Sequence, residues 1–312
     1  MATSSKHTQA RPFLKWAGGK RQLLDQMQAY FPKELLNGEI SRYAEPFLGS
    51  GALFFKIMQS YPIQECLLAD INHELILVYK TIQQDVNSLI GSLGVIESQF
   101  SQLNQEQRRE YYYQIREKYN QQRTSIQIME FEPNWIQRAA YMIFLNRTGF
   151  NGLFRVNSSG EFNVPYGRYE HPRILDRENL HLVAALLQRV SLDYGDFEAI
   201  ADFVNEQTLV YFDPPYRPLS PTAHFTSYST GRFGDQQQLR LARFYRSLDG
   251  QGGRLMLSNS DPHNVDPSDN FFERAYRGFY IKRLKARRNI NRDAEKRGQI
   301  SELLILNYDP GT

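Results

Sequence analysis

The stretch Asp213-Pro214-Pro215-Tyr216 carries the side chains best suited to chemistry in this chain. It closes a short apolar run, Thr208-Leu209-Val210-Tyr211-Phe212. That run is β-branched and aromatic and stops at a proline pair, so it reads as a buried strand. A carboxylate, a proline carbonyl and an aromatic ring leaving one strand end can hold a planar amino group. The two oxygens accept its two hydrogens while the ring stacks beside it. Group transfer to the amino nitrogen of a nucleobase needs such a holder. The same residues also read as a plain strand exit, with Asp213 a solvated turn residue and Tyr216 packing.

Two further strand ends carry acids. Tyr43-Ala44-Glu45-Pro46-Phe47-Leu48-Gly49-Ser50-Gly51-Ala52 reads as a strand, a glycine turn and a helix start. Glycines there let the backbone approach a ligand, and the helix start favours a carboxylate or phosphate. Leu67-Leu68-Ala69-Asp70 places an acid 21 residues after Gly49. That is the spacing of the ribose-hydroxyl ligand in Rossmann-type nucleoside sites. The glycines do not follow G-x-G-x-x-G, so a mononucleoside with a carboxylate, such as S-adenosylmethionine, fits better than a dinucleotide. An ordinary βα turn with a helix-capping Asp is the simpler alternative. Asp196-Phe197, beyond a third strand, could hold the adenine of such a cofactor. Glu45, Asp70, Asp196 and Asp213 thus all fall at or just past strand carboxyl ends, where open α/β sheets bind ligands. Phe13-Leu14-Lys15-Trp16-Ala17-Gly18-Gly19-Lys20 resembles part of a phosphate loop, but Arg21 stands where Ser or Thr is required. ATP hydrolysis is disfavoured.

The elements that must position these groups follow from periodicity. Strands are predicted at Arg42–Glu45, Glu65–Asp70, Val190–Tyr194, Leu209–Asp213, Arg254–Ser258, Ala275–Ile281 and Leu303–Tyr308. Helices are predicted at Ala52–Ser60, Asn72–Ile90, Gln105–Asn120 and Trp135–Arg147. Residues 148–169, rich in Gly, Asn, Ser and aromatics, read as a loop or hairpin. The βαβ alternation argues for an α/β core with a parallel sheet. A mainly helical insertion interrupts it. The expected division is a disordered tail over 1–10, a catalytic domain over 11–84 and 176–312, and an insertion over 85–175.

Composition agrees with a globular chain of 312 residues, 41% hydrophobic and 23% charged. No apolar run approaches the roughly 18–20 residues of a membrane span. The first ten residues lack the apolar core of a signal peptide, and cytoplasmic residence is expected. The one cysteine, Cys66, excludes an internal disulfide and a thiolate zinc cluster. No His pair has close ligand spacing, so no metal is expected. Net charge is +3, yet residues 282–297 hold eight Lys/Arg against two Asp/Glu, a local +6. This concentrated stretch fits phosphate contact, or else a solvated charged loop.

Taken together, FLKWAGGK, AEPFLGSGALFF, LADIN, FLNRTGFNGLFRVNSSGEFNVPYGRY, DPPY and AHFTSY resemble, in order and rough spacing, the DNA adenine-N6 methyltransferases of the Dam family (D12 class). The resemblance covers about residues 11–309. It implies a Rossmann-like S-adenosylmethionine-dependent core whose insertion is a mainly helical DNA-recognition domain with a β-hairpin. It implies that Trp16, Lys20, Asp70 and Asp213 contact S-adenosylmethionine, with Glu45, Pro46, Phe47, Gly49, Gly51, Asp196 and Phe197 completing that site. It implies that Asp213, Pro214, Pro215 and Tyr216 serve the target adenine. Arg155, Leu153 and Pro165 match base-reading positions, Phe150 a residue inserted into the base stack, and Lys15 a contact to an outer guanine. Phe150 stands where a Tyr is familiar. Arg147, Asn151, Arg168, Tyr169, Arg287 and Arg288 are counted with the DNA-facing set. Family members commonly modify GATC in double-stranded DNA. A monomer is expected, with dimerisation on DNA as the alternative.

Competing readings are cytosine-N4 or protein-glutamine methylation, or a catalytically silent DNA-binding module. Cytosine enzymes more often carry Ser at the position of Asp213, and glutamine enzymes Asn. No Cys sits in a nucleophile context, which argues against carbon-5 methylation.

Overall fold

The computed structural model describes residues 9–16, 23–124, 131–217, 233–287 and 299–310. Lys20, Arg288 and the AHFTSY segment lie outside them, as do residues 1–8 of the expected tail. The chain divides into two compact units, one of 1–19, 49–59 and 70–195, the other of 20–48, 60–69 and 196–312.

The second unit is built on strands. β1 (Arg42–Glu45) pairs in parallel with β2 (Glu65–Asp70) on one side, with Arg42 opposite Glu65. On its other side it pairs in parallel with β4 (Thr208–Phe212), with Ala44 opposite Val210. β4 pairs in parallel with β5 (Arg254–Ser260). Two antiparallel strands close this side: β7 (Gln299–Leu306) on β5 and β6 (Tyr280–Arg287) on β7. The order across this unit is β2-β1-β4-β5-β7-β6. All five residues of β4 are buried, as expected for a parallel strand covered on both faces. Phe212, Leu257 and Ile305 pack with Phe244 and Tyr245 of α8 (Asp235–Gly250) in one core. Short helices α1 (Leu24–Gln28), α2 (Lys33–Leu36) and α9 (Phe271–Ala275) complete the unit.

The first unit is mainly helical: α3 (Ala52–Ser60), α4 (His73–Ser101), α5 (Gln105–Gln121), α6 (Asn134–Thr148) and α7 (Arg177–Leu187), with strand β3 (Val190–Tyr194) after them. Asn72 caps α4, accepting from the amides of Glu74 and Leu75. Asn104 and Gln107 form a capping box at α5. Residue Ala10 is already buried, its amide donating to Gln59 Oε1 of α3 and its carbonyl accepting from Gln59 Nε2.

Several expected boundaries move. Residues Ala275–Ile281 are not one strand: α9 ends at Ala275, Gly278 turns the chain at φ +96°, and β6 starts at Tyr280. A short apolar run does not distinguish a buried helix end from a strand. The first part of the basic stretch, 282–287, is strand β6 rather than loop. The helix expected over Asn72–Ile90 continues to Ser101 across a break at Asp85 (φ −148°, ψ 70°). The expected hairpin over 148–169 has two isolated antiparallel bridges, Gly149 with Tyr166 and Val156 with Phe162, and no continuous strands.

One buried ion pair joins three helices of this unit. Arg138 of α6, 2% exposed, donates from Nε to Glu74 Oε2 of α4 at 2.8 Å and from Nη2 to Oε1. Its Nη1 donates to Tyr119 O of α5 at 2.7 Å, and its guanidinium lies over the Tyr119 ring. Burial alone would raise the Glu74 carboxyl, but hydrogen bonds from His73 and Arg138 outweigh it and bring it down to about 2. A carboxyl lowered in the folded chain adds stability above its unfolded value near 4.5, and loses it as pH falls through about 2. Glu74→Gln should cost about 3 kcal/mol at pH 7. The gap to the parent should close as pH falls from 4.5 towards 2. Urea titrations at pH 7, 4 and 2.5 check this, and a gap independent of pH would assign the loss to packing instead.

Candidate active site and nucleic-acid interface

In the second unit the residues of interest leave the ends of β1 and β4, neighbours in the sheet. The chain runs from β1 to β2 on one side and returns to β4 on the other, which makes their carboxyl ends the switch point where such sheets bind ligands. Glu45 ends β1 and is buried, accepting from Tyr43 Oη at 3.0 Å. Burial first, then the Glu45 charge, pushes the Tyr43 hydroxyl well up, so it stays a neutral donor. Asp213 follows β4 half-buried, Pro214 is buried and Pro215 exposed. The prolines offer no N–H to a sheet partner, so pairing stops there.

Amide side chains strap this exit. Gln238 of α8 donates from Nε2 to Pro215 O at 3.1 Å. Asn259 of β5 donates to Gln238 Oε1 at 3.2 Å and accepts from the Arg217 amide at 3.2 Å. Arg217 then pairs with Asp235 at 2.7 Å and Asp269 at 2.5 Å, over the Phe271 ring. The Tyr216 hydroxyl donates to Glu302 Oε2 of β7. Burial, followed by the Asp213 and Glu302 charges, pushes this phenol well above its ordinary value. Gln238, Asn259, Arg217 and Glu302 were not foreseen from sequence. The available signal was a polar residue interrupting an apolar run, as Glu302 does in Ile300-Ser301-Glu302-Leu303-Leu304.

Pro46 leads from β1 to Phe47, which stacks on Phe197 at 5.5 Å and 28°, with Phe233 edge-on to both. Asp196 is less available than its position suggests. Arg240 of α8 donates to both its oxygens at 2.6 and 3.0 Å, and the Glu198 amide to one at 3.1 Å.

In the first unit the glycine turn and Asp70 come together. Gly49 (φ +48°) and Gly51 (φ +65°) adopt the left-handed backbone that glycine favours. Gly49 N donates to Asp70 Oδ2 at 3.1 Å, and Asn72 N to Oδ1 at 2.8 Å. Asp70 therefore links turn and strand end, while the cap of α4 is Asn72. Burial raises the Asp70 carboxyl to about 6, although hydrogen bonds from the amides of Gly49, Asn72 and Ile71 pull the other way. Trp16 covers the turn closely: a Cβ on Gly49 would lie 3.1 Å from its Cδ1. The Trp16 ring also stacks on Phe154 at 5.6 Å.

The 148–169 segment is held by side chains on backbone. Asn120 of α5 clasps Phe162 through its amide and carbonyl at 2.8 and 3.1 Å. Tyr112 Oη donates to Val164 O at 2.9 Å. Phe150 is 49% exposed, anchored by its amide on Pro165 O at 2.8 Å, with Pro165 exposed and Leu153 half-buried. Asn151 (φ +54°) and Arg168 (φ +57°) are left-handed and exposed. Arg155 donates from Nε to Asn163 Oδ1 at 2.6 Å and from Nη2 to Asn163 O at 3.2 Å. Arg147 is turned inward, donating to Phe13 O at 2.6 Å. Lys15 is exposed, with its ammonium 4.4 Å from the centre of the Tyr169 ring. Desolvation and the nearby Arg147 charge lower its ammonium. Arg287 ends β6.

Chain comparison decides the family. Residues 16–290 match the model of the D12 class N6 adenine-specific DNA methyltransferases. The chain belongs to that family. It is 47% identical over 301 residues to the type II methyltransferase M.MjaIII of Methanocaldococcus jannaschii, covering 96% of this chain and all of the relative. It is 36% identical over 300 residues to the type II methyltransferase M1.LlaDCHI of Lactococcus lactis subsp. cremoris, covering 96% and 95%. It is 35% identical over 306 residues to the DNA adenine methylase of Escherichia coli K12, covering 96% of each. The reaction class is therefore methyl transfer to N6 of adenine in DNA, on the mixed α/β, Rossmann-like methyltransferase fold. Among the described residues, no cluster of His, Cys, Asp or Glu could hold a metal ion, and no helix is long and apolar enough to cross a membrane.

Buried Asn146 of α6 organises the base of the loop. It accepts from Lys15 N at 2.8 Å and donates to Lys15 O and Gly152 O, each at 2.8 Å. Asn146→Ala leaves three backbone groups without their partner and should lower stability by about 1–3 kcal/mol. Limited proteolysis should then cut first within 148–169. A variant with the parent's urea midpoint and cleavage pattern would remove Asn146 from this role.

Proposed function

We propose that this chain transfers the methyl group of S-adenosylmethionine to N6 of an adenine flipped out of duplex DNA, with GATC as its recognition sequence. It acts in the cytoplasm as a monomer, with dimerisation on DNA as the alternative. The observation that carries the reading is the strapped Asp213–Tyr216 exit from buried strand β4, in a chain 35% identical to a DNA adenine methylase.

The amino nitrogen of adenine is a weak nucleophile because its lone pair is delocalised into the ring. Asp213 and the Pro214 carbonyl each accept one of its hydrogens, draw the nitrogen towards a tetrahedral shape and free the lone pair. Bound S-adenosylmethionine supplies an electrophilic sulfonium methyl. The work of the chain is positioning and electrostatic stabilisation, without a covalent enzyme intermediate. The target amino group is enclosed in a duplex, so the base leaves the stack and Tyr216 lies against it. Phe150, exposed on its anchored turn, fills the gap. Arg155 reads guanine in the major groove.

The cofactor fits the residues present. Asp70 offers a carboxylate beside a glycine turn whose backbone a larger residue would block, since a Cβ on Gly49 meets Trp16. Asp70 takes the ribose hydroxyls and Trp16 flanks the ligand.

The reading is tested on adenine-unmethylated plasmid. After incubation with chain and S-adenosylmethionine, GATC should resist methylation-sensitive cleavage and yield to methylation-dependent cleavage. Unchanged cleavage by both nucleases would end it.

Asp213→Ala should abolish turnover while leaving DNA affinity within a few-fold, since phosphate contacts supply most affinity. Single-turnover methylation beside a DNA-binding titration checks both. Activity within tenfold of the parent would remove Asp213 from the mechanism.

Asp70 gives a pH signature. Its carboxyl titrates near 6, and only the ionised form accepts from both ribose hydroxyls. S-adenosylmethionine affinity should be flat above pH 7 and fall as Asp70 takes up a proton, approaching tenfold per unit well below 6. Asp70→Asn should bind weakly at every pH and lose the dependence. Calorimetry from pH 5 to 8 reads this directly, and the same slope in parent and variant would assign the titration to another group.

A further inference from the structure

We propose that Glu302 is a positioning residue for methyl transfer, fixing the Tyr216 ring against the target base by accepting a hydrogen bond from its hydroxyl. The inference deepens the proposed function and rests on it.

Tyr216 and Glu302 are 86 residues apart in sequence, yet the hydroxyl donates to Glu302 Oε2. Glu302 sits on β7, opposite Ser260 at the carboxyl end of β5 and opposite Leu284 of β6. Ser260 in turn donates from Oγ to Arg217 O at 3.1 Å, one residue beyond Tyr216. β7 thus reaches the side chain of Tyr216, and its neighbour β5 the backbone that follows it. Neighbouring Leu303 and Ile305 turn into the core with Phe212 and Leu257. By strand alternation Glu302 points to the other sheet face, with Leu304 and Leu306. A carboxylate amid leucines is costly to place there unless it meets a donor.

This contact assigns the parts of Tyr216. Its hydroxyl is committed to a carboxylate, and burial with two nearby negative charges keeps it protonated. Proton transfer through it is disfavoured, and the role assigned to Tyr216 is that of its ring. A Tyr free to rotate about χ1 and χ2 would spread over rotamers; a hydroxyl held at the far end of the ring sets both angles.

The test is a double-mutant cycle on the full chain with S-adenosylmethionine and a GATC duplex. The readouts are single-turnover rate and the fluorescence of 2-aminopurine at the target position. Glu302→Ala should slow the chemical step by about tenfold, the worth of one hydrogen bond to a charged acceptor. DNA and cofactor affinities should stay near the parent's. Glu302→Gln, which keeps an acceptor oxygen, should recover most of the rate. Tyr216→Phe should lose about as much as Glu302→Ala, and the double variant no more than either. The aminopurine signal of the two single variants should shift alike. Independent, multiplying losses in the cycle would overturn the proposal, as would a Glu302→Ala chain as fast as the parent. If Glu302→Ala does not fold, Tyr216→Phe removes the same bond from the other end, and parent-like rate and signal there would also overturn it. Failure of the parent to methylate plasmid GATC would instead overturn the function on which the proposal rests.

Discussion

A parallel strand covered on both faces has nowhere to put charge except at its ends, and this governs the chemistry of the chain. Each of the five residues of β4 is buried, and β1 beside it is buried from Tyr43 to Glu45. A carboxylate in the middle of either would carry the cost of an unpaired buried charge. The carboxyl ends are where polar groups become affordable, and parallel pairing brings those ends together. Ala44 lies opposite Val210, so Glu45 at the end of β1 and Asp213 just past β4 leave neighbouring strands on the same edge. Buried Tyr211 registers both charges: after burial itself, Asp213 and Glu45 are among the causes that push its hydroxyl up. Its answer is a hydrogen bond to Ser258 at 2.9 Å.

The supports around this edge are chosen by charge. Neutral amides, Gln238 and Asn259, hold the backbone of the Asp213–Tyr216 exit. They fix geometry through neutral hydrogen bonds. Cations enter one step away, where Arg217 meets Asp235 and Asp269, and Arg240 meets Asp196 and Glu198. The exit is therefore tied down through its backbone by neutral groups.

Local signals made much of this readable. The bounds of β1, β2, β3 and α3 follow from short apolar runs ended by Pro, Gly or an acid, and they agree residue for residue. The acids at the strand ends were visible for the same reason. The missed features are partners distant in sequence. Nothing near Asp196 announces Arg240, 44 residues on, and nothing near Tyr216 announces Glu302. Nothing near Arg147, a cation beside the 148–169 segment, announces its bond to Phe13 O, 134 residues away. The basic stretch, read as a phosphate contact or else a solvated loop, is in its first part a strand. Alternation in Lys282-Arg283-Leu284-Lys285 is a strand pattern, but the density of charge suggested loop. Charge density reports solvent, whereas strand formation there depends on β7, a partner that composition does not reveal.

The 148–169 segment follows the opposite strategy from the sheet. With two isolated bridges it has few ladder hydrogen bonds to define its shape. Its carbonyls and amides are satisfied instead by side chains from below: Asn120 at Phe162, Tyr112 at Val164, Asn146 at Gly152. Each of these donors sits on a helix, and α4, α5 and α6 are joined through the buried Glu74–Arg138 pair. A regular hairpin would spend its backbone on itself and alternate its side chains between two faces. An irregular segment clamped from one side can commit its outward surface to exposed groups at close quarters. Phe150, Asn151, Pro165 and Arg168 lie on that surface. Left-handed backbone at Asn151 and Arg168 is the conformational cost of that arrangement, and the helices beneath supply the rigidity that makes it tolerable.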